Sequence, residues 1–370
     1  MGLLWITDNN HIYKGLSDTY LQGRKKPSAT DPDLFPTRII KSTTPKAWNI
    51  STNYNKEPFS DAVSKTNEEL QTLGFLVIKN DSILFEKYLN GHSQNRLSNS
   101  FSMAKTVLSI ITGCAIKEGK ISLTTPVYKY LPEYFQAKDS ALQVVHLLNM
   151  TSGMNFDESY GNPFGFMAKA YYGKDLRELL KGYHLQSKPG EQWEYLGGNN
   201  LLLSLLLEKV LEKKVSAYAQ EKVWSTCGME HDAKWILDKD NGHEKTFSGL
   251  YSTGRDFAKV GQLYMHQGNI NGTQILDSSF VNSSTSPVNV PNEDGELTTN
   301  YGYAWWMIKH NNLDVFYMQG ILGQYILCIP EKNTIIVRVG EKRMKKSNGK
   351  NPDDLFIYLK EGLRIASSKI

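Results

Sequence analysis

Between Phe101 and Lys117 the chain passes through Val107, Leu108, Ile110, Ile111, Cys114, Ala115 and Ile116 with few polar interruptions, and Gly119 follows as a C-terminal stop. A helix that is apolar nearly all round has no face to show to water, so whatever the chain folds into must enclose this segment. With 370 residues, 40% of them hydrophobic, the chain can bury one large core or two smaller ones. Inside this helix stands a lysine, Lys105, and one turn earlier, at its mouth, a serine, Ser102.

Residues at i and i+3 share a helix face, so the Lys105 amine lies beside the Ser102 hydroxyl, near the unpaired N–H groups that favour developing negative charge. A Ser-x-x-Lys match alone says little, because a chain of this length should hold about one or two by chance. It holds two. The other, Ser347-Asn348-Gly349-Lys350, lies in a polar, Lys-rich turn with no helix to align its members. For Ser102 the plain alternative is a helix-capping serine followed by a surface lysine. Against it stands the apolar setting: a buried amine loses solvation, and its pKa falls toward that of a usable base.

Residues 1–65 are rich in Pro, Asn, Ser and Thr, show no sustained period, and read as an extended N-terminal arm wrapping a domain that spans 66–370. Phe75–Ile78 and Ile83–Phe85 flank Lys79-Asn80-Asp81-Ser82, a tight-hairpin pattern. Helical signals then dominate: Leu142–Met150, Asp175–Tyr183, Asn199–Leu211 and Arg255–His266. Strand signals return only near the end, at Tyr301–Ile308, Val315–Met318, Tyr325–Ile329 and Thr334–Val339, before a final helix over Pro352–Ser367. This order predicts an α/β chain of the α+β type. One antiparallel sheet draws on both chain ends (about 66–120 and 290–370), with a mainly helical region (about 121–289) inserted.

Forty-two basic against 38 acidic residues leave a net charge of +4. The one dense basic patch, Lys342, Arg343, Lys345 and Lys346, reads as a solvated loop, so nucleic acid is not an expected partner. Cys114, Cys227 and Cys328 form no C-x-x-C pair and are expected as buried free thiols, and the scattered His92, His146 and His184 are not expected ligands. The expectation is therefore no metal and no cofactor. The aliphatic stretch Leu201–Leu207 falls far short of the roughly 20 residues that cross a bilayer. Met1–Ile6 lacks the basic n-region and the h-region of an export signal. The compartment stays open between the cytoplasm and, as the leaning, the periplasm or cell envelope reached through an upstream signal or anchor outside this sequence. There is no G-x-S-x-G elbow and no H-E-x-x-H. Aromatic Tyr301, Tyr303, Trp305, Trp306 and Tyr317 read first as sheet packing, with pocket lining for one or two.

After Ser102 and Lys105, four blocks follow in order: Leu147–Met154 (LLNMTSGM), Trp193–Asn199 (WEYLGGN), Gly249–Asp256 (GLYSTGRD) and Gln319–Tyr325 (QGILGQY). Their order and spacing, over roughly residues 70–368, resemble the serine β-lactamase and penicillin-binding-protein superfamily in its class C-like branch. Family VIII carboxylesterases and 6-aminohexanoate-dimer hydrolases look nearest. The resemblance implies a β-lactamase/transpeptidase-like fold and an acyl-enzyme mechanism. Ser102 matches the nucleophile, Lys105 its base, and Tyr195 the tyrosine that shuttles a proton to the leaving group, with its ionised form expected to be favoured by the nearby lysine. Ser102 N–H supplies one oxyanion donor and Ile321 N–H the second, or Leu322 if the loop is registered differently. Tyr160 resembles the substrate-side tyrosine of the dimer hydrolases, and Gln319 and Gly320 border the substrate. Class C enzymes follow the tyrosine with Ser/Ala-Asn and end with Lys-Thr-Gly. Here Leu196-Gly197 follows Tyr195, and the strand bears Gln319-Gly320-Ile321 without the lysine. Ester, amide or peptide cleavage on small molecules is therefore expected in preference to efficient β-lactam turnover. Two alternatives remain: a penicillin-binding or sensor-type protein that acylates with little turnover, and a D-amino-acid peptidase.

Overall fold

The computed structural model describes residues 9–24, 26–347 and 351–368. The Met1–Ile6 start and the Asn348–Lys350 part of the second Ser-x-x-Lys match lie outside them. Seven strands form one sheet, in the order Trp306–His310, Leu313–Gly320, Gln324–Ile329, Thr334–Gly340, Thr72–Lys79, Ser82–Tyr88 and Asn49–Ile50. Strands from the two halves of the chain meet at the centre, where Thr334–Gly340 runs antiparallel to Thr72–Lys79 with Ile336 opposite Val77. The sheet is thus the antiparallel one expected from both chain ends, except at one edge, where Asn49–Ile50 pairs parallel with Ser82–Ile83.

Local chemistry explains these strands. Asn80 and Asp81 both take positive φ (48° and 57°), the two-residue turn whose twist suits the hairpin between Lys79 and Ser82. Along Phe75-Leu76-Val77-Ile78, alternate residues face opposite layers: Phe75 and Val77 pack with Tyr317, Ile336, Leu355 and Leu359, while Leu76 and Ile78 pack with Val107, Ile326 and Val337. Burial on both faces accounts for strands that read as continuous apolar runs rather than alternating ones. The C-terminal helix Asp353–Ser367 covers the first face. The helices Met103–Lys117 and Gly254–Met265 lie on the other.

Every residue from Met103 to Ala115 is buried, as the apolar pattern demanded. Side chains such as Val107 and Leu108 each contribute about 1.5–3 kcal/mol by leaving water. The helix ends at Gly119, whose φ of 67° lets its N–H reach the Ile116 carbonyl. Cys114, Cys227 and Cys328 are buried free thiols. Among the described residues no helix is long and apolar enough to cross a membrane.

Several expectations need correction. Strands do not return only near the end: Ala233–Ile236 and Leu250–Ser252 join Thr37–Ile40 and Ser98–Asn99 in a second sheet of four strands. The segment expected as an extended arm carries the helix His11–Asp18, and the helix Asp61–Glu69 runs across its expected boundary at residue 65. Tyr301–Ala304 is a turn, with Ala304 at φ 62°, and its strand begins only at Trp306. The helices expected at Leu142–Met150 and Asp175–Tyr183 shrink to Val144–Leu148 and Leu176–Leu180.

One buried cation fixes the end of the sheet that matters most. Arg338 is wholly buried, and its guanidinium donates to the carbonyls of Leu322 (2.8 Å), Gly323 (2.7 Å) and Leu70 (3.0 Å), while stacking on Tyr358. Two of these acceptors belong to the three-residue turn that follows Gly320. Arg338→Met takes the donor from the buried Leu322 and Gly323 carbonyls, at about 1–3 kcal/mol per group, while the Leu70 carbonyl keeps the Lys342 N–H. Urea unfolding should show a loss of roughly 3 kcal/mol; a loss below about 0.5 kcal/mol, the scale of a neutral surface change, contradicts this role.

Candidate active site

The serine that opens the buried helix is set by an unusual turn. Phe101, directly before it, has φ 45°, a left-handed conformation that costs a bulky residue on the order of 1–3 kcal/mol. The surroundings hold it there: Phe101 N–H donates to Asn99 Oδ1 (2.8 Å), Asn99 Nδ2 donates to the Tyr251 hydroxyl (3.2 Å), and Ser100 N–H donates to the Leu250 carbonyl (2.7 Å). The small second sheet thus anchors the turn. Ser102 occupies the N-cap position, yet its side chain makes no capping bond. Its hydroxyl is left for other work.

Lys105 is 1% exposed, which removes the capping-serine-and-surface-lysine alternative. Its Nζ donates to Ser102 Oγ (3.2 Å) and to the Phe247 carbonyl (2.8 Å), and lies 4.9 Å from the centre of the Tyr195 ring. Burial lowers the amine's pKa to about 8, against a partial upward pull from the Glu158 carboxylate. The expected lowering of the lysine is therefore present.

Tyr195 lies just before the helix Gly197–Leu211. Its turn is pinned on both sides: Trp193 N–H donates to the Pro291 carbonyl (2.8 Å) and Glu194 N–H to the Met150 carbonyl (2.9 Å). The ring packs against Trp306 (5.5 Å) and edge-on to Tyr301 (5.9 Å). Trp306, from the sheet edge, and the wholly buried Tyr301 therefore back the Tyr195 ring. The Tyr195 phenol contradicts one expectation. Desolvation pushes its pKa up and Glu158 adds to the rise, while the Ser102 hydroxyl and the Arg343 guanidinium pull it back. The phenol therefore rests protonated at neutral pH, because its desolvation outweighs cationic help.

The far wall is the end of the strand Leu313–Gly320. A Cβ on Gly320 would stand 2.3 Å from the Ser100 carbonyl oxygen, so the strand end presses directly on the turn that leads into Ser102. The next residue, Ile321, is half-buried, and its carbonyl accepts from Gln324 Nε2 (3.2 Å). Leu322 follows in the left-handed region at φ 64°. Gln319 is half-buried, and its side-chain oxygen has no partner among the described residues. Tyr160 is 58% exposed at the rim and donates to Glu158 Oε1 (2.8 Å).

Sequence reasoning missed three contributors: the Phe247 carbonyl, Glu158, and Arg343, which leaves the basic loop half-buried and within electrostatic reach of Tyr195 and Tyr160. A concavity of about 370 Å³ lined by Asn149, Ser286, Tyr303 and their neighbours contains none of the residues above, so it is a separate surface feature. For a metal, the described residues offer one group, Glu208, His243 and Glu244. Arg177 and Lys214 ion-pair with Glu208, and Arg38 with Glu244, so three cations already neutralise that group.

The chain is similar to known proteins along most of its length. The Beta-lactamase family profile matches residues 59–355. The 6-aminohexanoate-dimer hydrolase of Paenarthrobacter ureafaciens is 23% identical over 289 residues, covering 74% of this chain and 73% of that protein. Among solved structures, a Bacillus anthracis chain classed with the 6-aminohexanoate-dimer hydrolases covers 95% of each chain at TM-score 0.76 and 21% identity. A family VIII carboxylesterase covers 89% of this chain and 100% of its own at TM-score 0.66 and 16% identity. The 95% coverage takes the structural likeness into the segment before residue 66, beyond the stretch the sequence motifs reached.

The buried amine gives a direct expectation. In protein carrying ¹³C-labelled lysine, one resonance, absent from Lys105→Met, should titrate with a midpoint near 8. A midpoint at the ordinary lysine value of about 10.4 contradicts the desolvated setting.

Proposed function

From the chain's membership of the Beta-lactamase family, whose profile spans most of its length, we propose that it is a serine hydrolase cleaving a small ester or amide through an acyl-enzyme on Ser102. The observation that carries this reading is the contact of 3.2 Å between the Ser102 hydroxyl and the Lys105 amine, an amine whose burial brings it within reach of neutrality at physiological pH. The relatives are hydrolases of amide and ester type, which fits the same chemistry.

The steps follow from the positions. Neutral Lys105 keeps its N–H bond to the Phe247 carbonyl and turns its lone pair to Ser102, taking the hydroxyl proton as Oγ attacks the substrate carbonyl. The tetrahedral oxyanion is held by the N–H of Ser102 and that of Ile321, each donor worth about 3 kcal/mol. The close seat of Gly320 on Ser100 supports Ile321 as the second donor. Tyr195, resting protonated beside Ser102, gives its proton to the leaving group as Lys105 replaces it, and the same relay in reverse activates water for deacylation. Gln319 and Gly320 flank the acyl group, and Tyr160 covers the rim. No step calls for a metal or cofactor.

Gly197 and Gln319 stand where class C enzymes place an asparagine and a lysine, so rapid turnover of β-lactams is not expected. A penicillin-binding or sensor-type protein and a D-amino-acid peptidase share the acylation step, and turnover across a panel of esters, amides, lactams and D-amino-acid peptides separates them.

With a short p-nitrophenyl ester, Ser102→Ala should lose more than about a thousandfold in kcat/KM. Retained activity in that variant eliminates the mechanism. The base must be unprotonated, so kcat/KM should rise with pH through a midpoint near 8 and level off above it; a profile flat from pH 6 to 9 excludes Lys105 as the base. Gly320→Val should cost on the order of 10² to 10³ in kcat by driving the oxyanion turn off Ser100, with the fold retained by circular dichroism. Unchanged kcat would move the second donor elsewhere.

A further inference from the structure

Glu158 lies in the segment that leads from Met154 to Tyr160, and both of its oxygens are engaged at the site. Oε2 accepts the Gly197 N–H at 2.6 Å, and Oε1 accepts the Tyr160 hydroxyl at 2.8 Å. Gly197 is the first residue of the helix Gly197–Leu211 and stands two residues after Tyr195. The N-cap residue of that helix, Leu196, has no side chain able to cap it, so the Glu158 carboxylate takes the place of a capping group. Burial pushes its carboxyl pKa up, and Lys105 and the Gly197 N–H at the positive end of a fifteen-residue helix, where an anion is favoured, partly offset that rise.

The glycine makes room for this contact. A Cβ on Gly197 would lie 3.2 Å from Oε2, 3.4 Å from Oε1 and 3.4 Å from Met167 Sδ, so the carboxylate sits where a side chain would otherwise crowd it. Among the described residues no lysine or arginine forms an ion pair with Glu158. The charged and titratable groups facing it are Lys105 from the buried helix, Tyr195 from the pinned turn, Tyr301 from the strand side, and Asp157, Tyr160 and Glu194 from the adjoining loops. Arg343 acts electrostatically on Tyr195 and Tyr160.

We propose that Glu158 is a positioning residue of the hydrolytic site: its carboxylate ties the turn carrying Tyr195 to the loop carrying Tyr160, and sets one negative charge opposite Lys105. This rests on the acyl-enzyme reading above. The two tasks separate by substitution. A glutamine keeps an oxygen that can accept from Gly197 N–H but removes the charge, whereas an alanine removes both.

The test is the pH dependence of p-nitrophenyl ester hydrolysis by Glu158→Gln and Glu158→Ala, with Ser102→Ala measured beside them. Glu158 raises the proton affinity of Lys105, so in Glu158→Gln the rising limb of kcat/KM should move down by roughly half to one pH unit. Glu158→Ala should share that displaced limb and also lose about 10- to 100-fold in kcat with little change in KM, as Tyr195 loses its orientation. Glu158→Gln should recover most of that kcat. A limb that stays at the wild-type position, or an alanine variant with the kcat of the glutamine variant, overturns the proposal; if the alanine variant fails to fold, the limb of Glu158→Gln decides alone. Ser102→Ala keeps the two readings apart. Activity surviving that substitution defeats the acyl-enzyme mechanism itself, whereas its loss beside an unmoved Glu158→Gln limb defeats only the role of Glu158.

Discussion

An amine held out of water against a serine hydroxyl is the contact on which the rest of the structure depends. In water an ammonium carries no usable lone pair near neutral pH, and a serine hydroxyl is a weak nucleophile. Burial of Lys105 changes the first, because the charged form loses solvation that the Phe247 carbonyl and the Ser102 hydroxyl only partly replace, and in the proposed mechanism the freed lone pair serves the second. That burial exists because the helix Met103–Lys117 is apolar almost all round and must be enclosed between the large sheet and the helix Gly197–Leu211. The chemistry is thus a by-product of a packing requirement.

The remaining parts are brought in by segments far apart in the chain. The strand end at Gly320 presses on Ser100 because that position has no side chain, and Arg338 clamps the turn beyond it through the carbonyls of Leu322 and Gly323. The left-handed Phe101 is held by Asn99 and by the small sheet into which Ser98–Asn99 pairs. Tyr195 is fixed by an aromatic group, Trp193, Tyr301 and Trp306, and by backbone bonds to Pro291 and Met150. Rigid support of this kind is what oriented proton transfer needs.

Much of this was legible in the residue order. The buried helix, its stop at Gly119, the Asn80-Asp81 hairpin, the C-terminal strands and the last helix all follow from local chemistry, and the structure shows each of them. The second sheet was not legible, because strands of two to four residues such as Ser98–Asn99 and Leu250–Ser252 are made by distant pairing and leave no period of their own. Tyr301–Ala304 carries strand-like aromatics but turns, since Ala304 takes a positive φ and its carbonyl accepts from Thr106 deep in the site. At the site, Lys105 Nζ lies 3.2 Å from Ser102 Oγ and 4.9 Å from the centre of the Tyr195 ring. The charge state of Tyr195 went the other way, because desolvation is a property of the assembled cleft. Glu158 and Arg343 had weak signals: a helix opening on Leu196-Gly197 lacks a capping side chain of its own and draws one from elsewhere, and one arginine inside a lysine-rich loop looks like any solvated charge.

The account reduces to a covalent bond formed at one oxygen with help from one amine. Brief exposure to an activated acyl reagent, followed by intact-mass and peptide-level mass spectrometry, reads that bond directly. The predicted result is a single adduct on the peptide carrying Ser102, formed at least about 10²-fold more slowly when Lys105 is replaced by methionine. An adduct on another residue, or an acylation rate indifferent to Lys105, would contradict it.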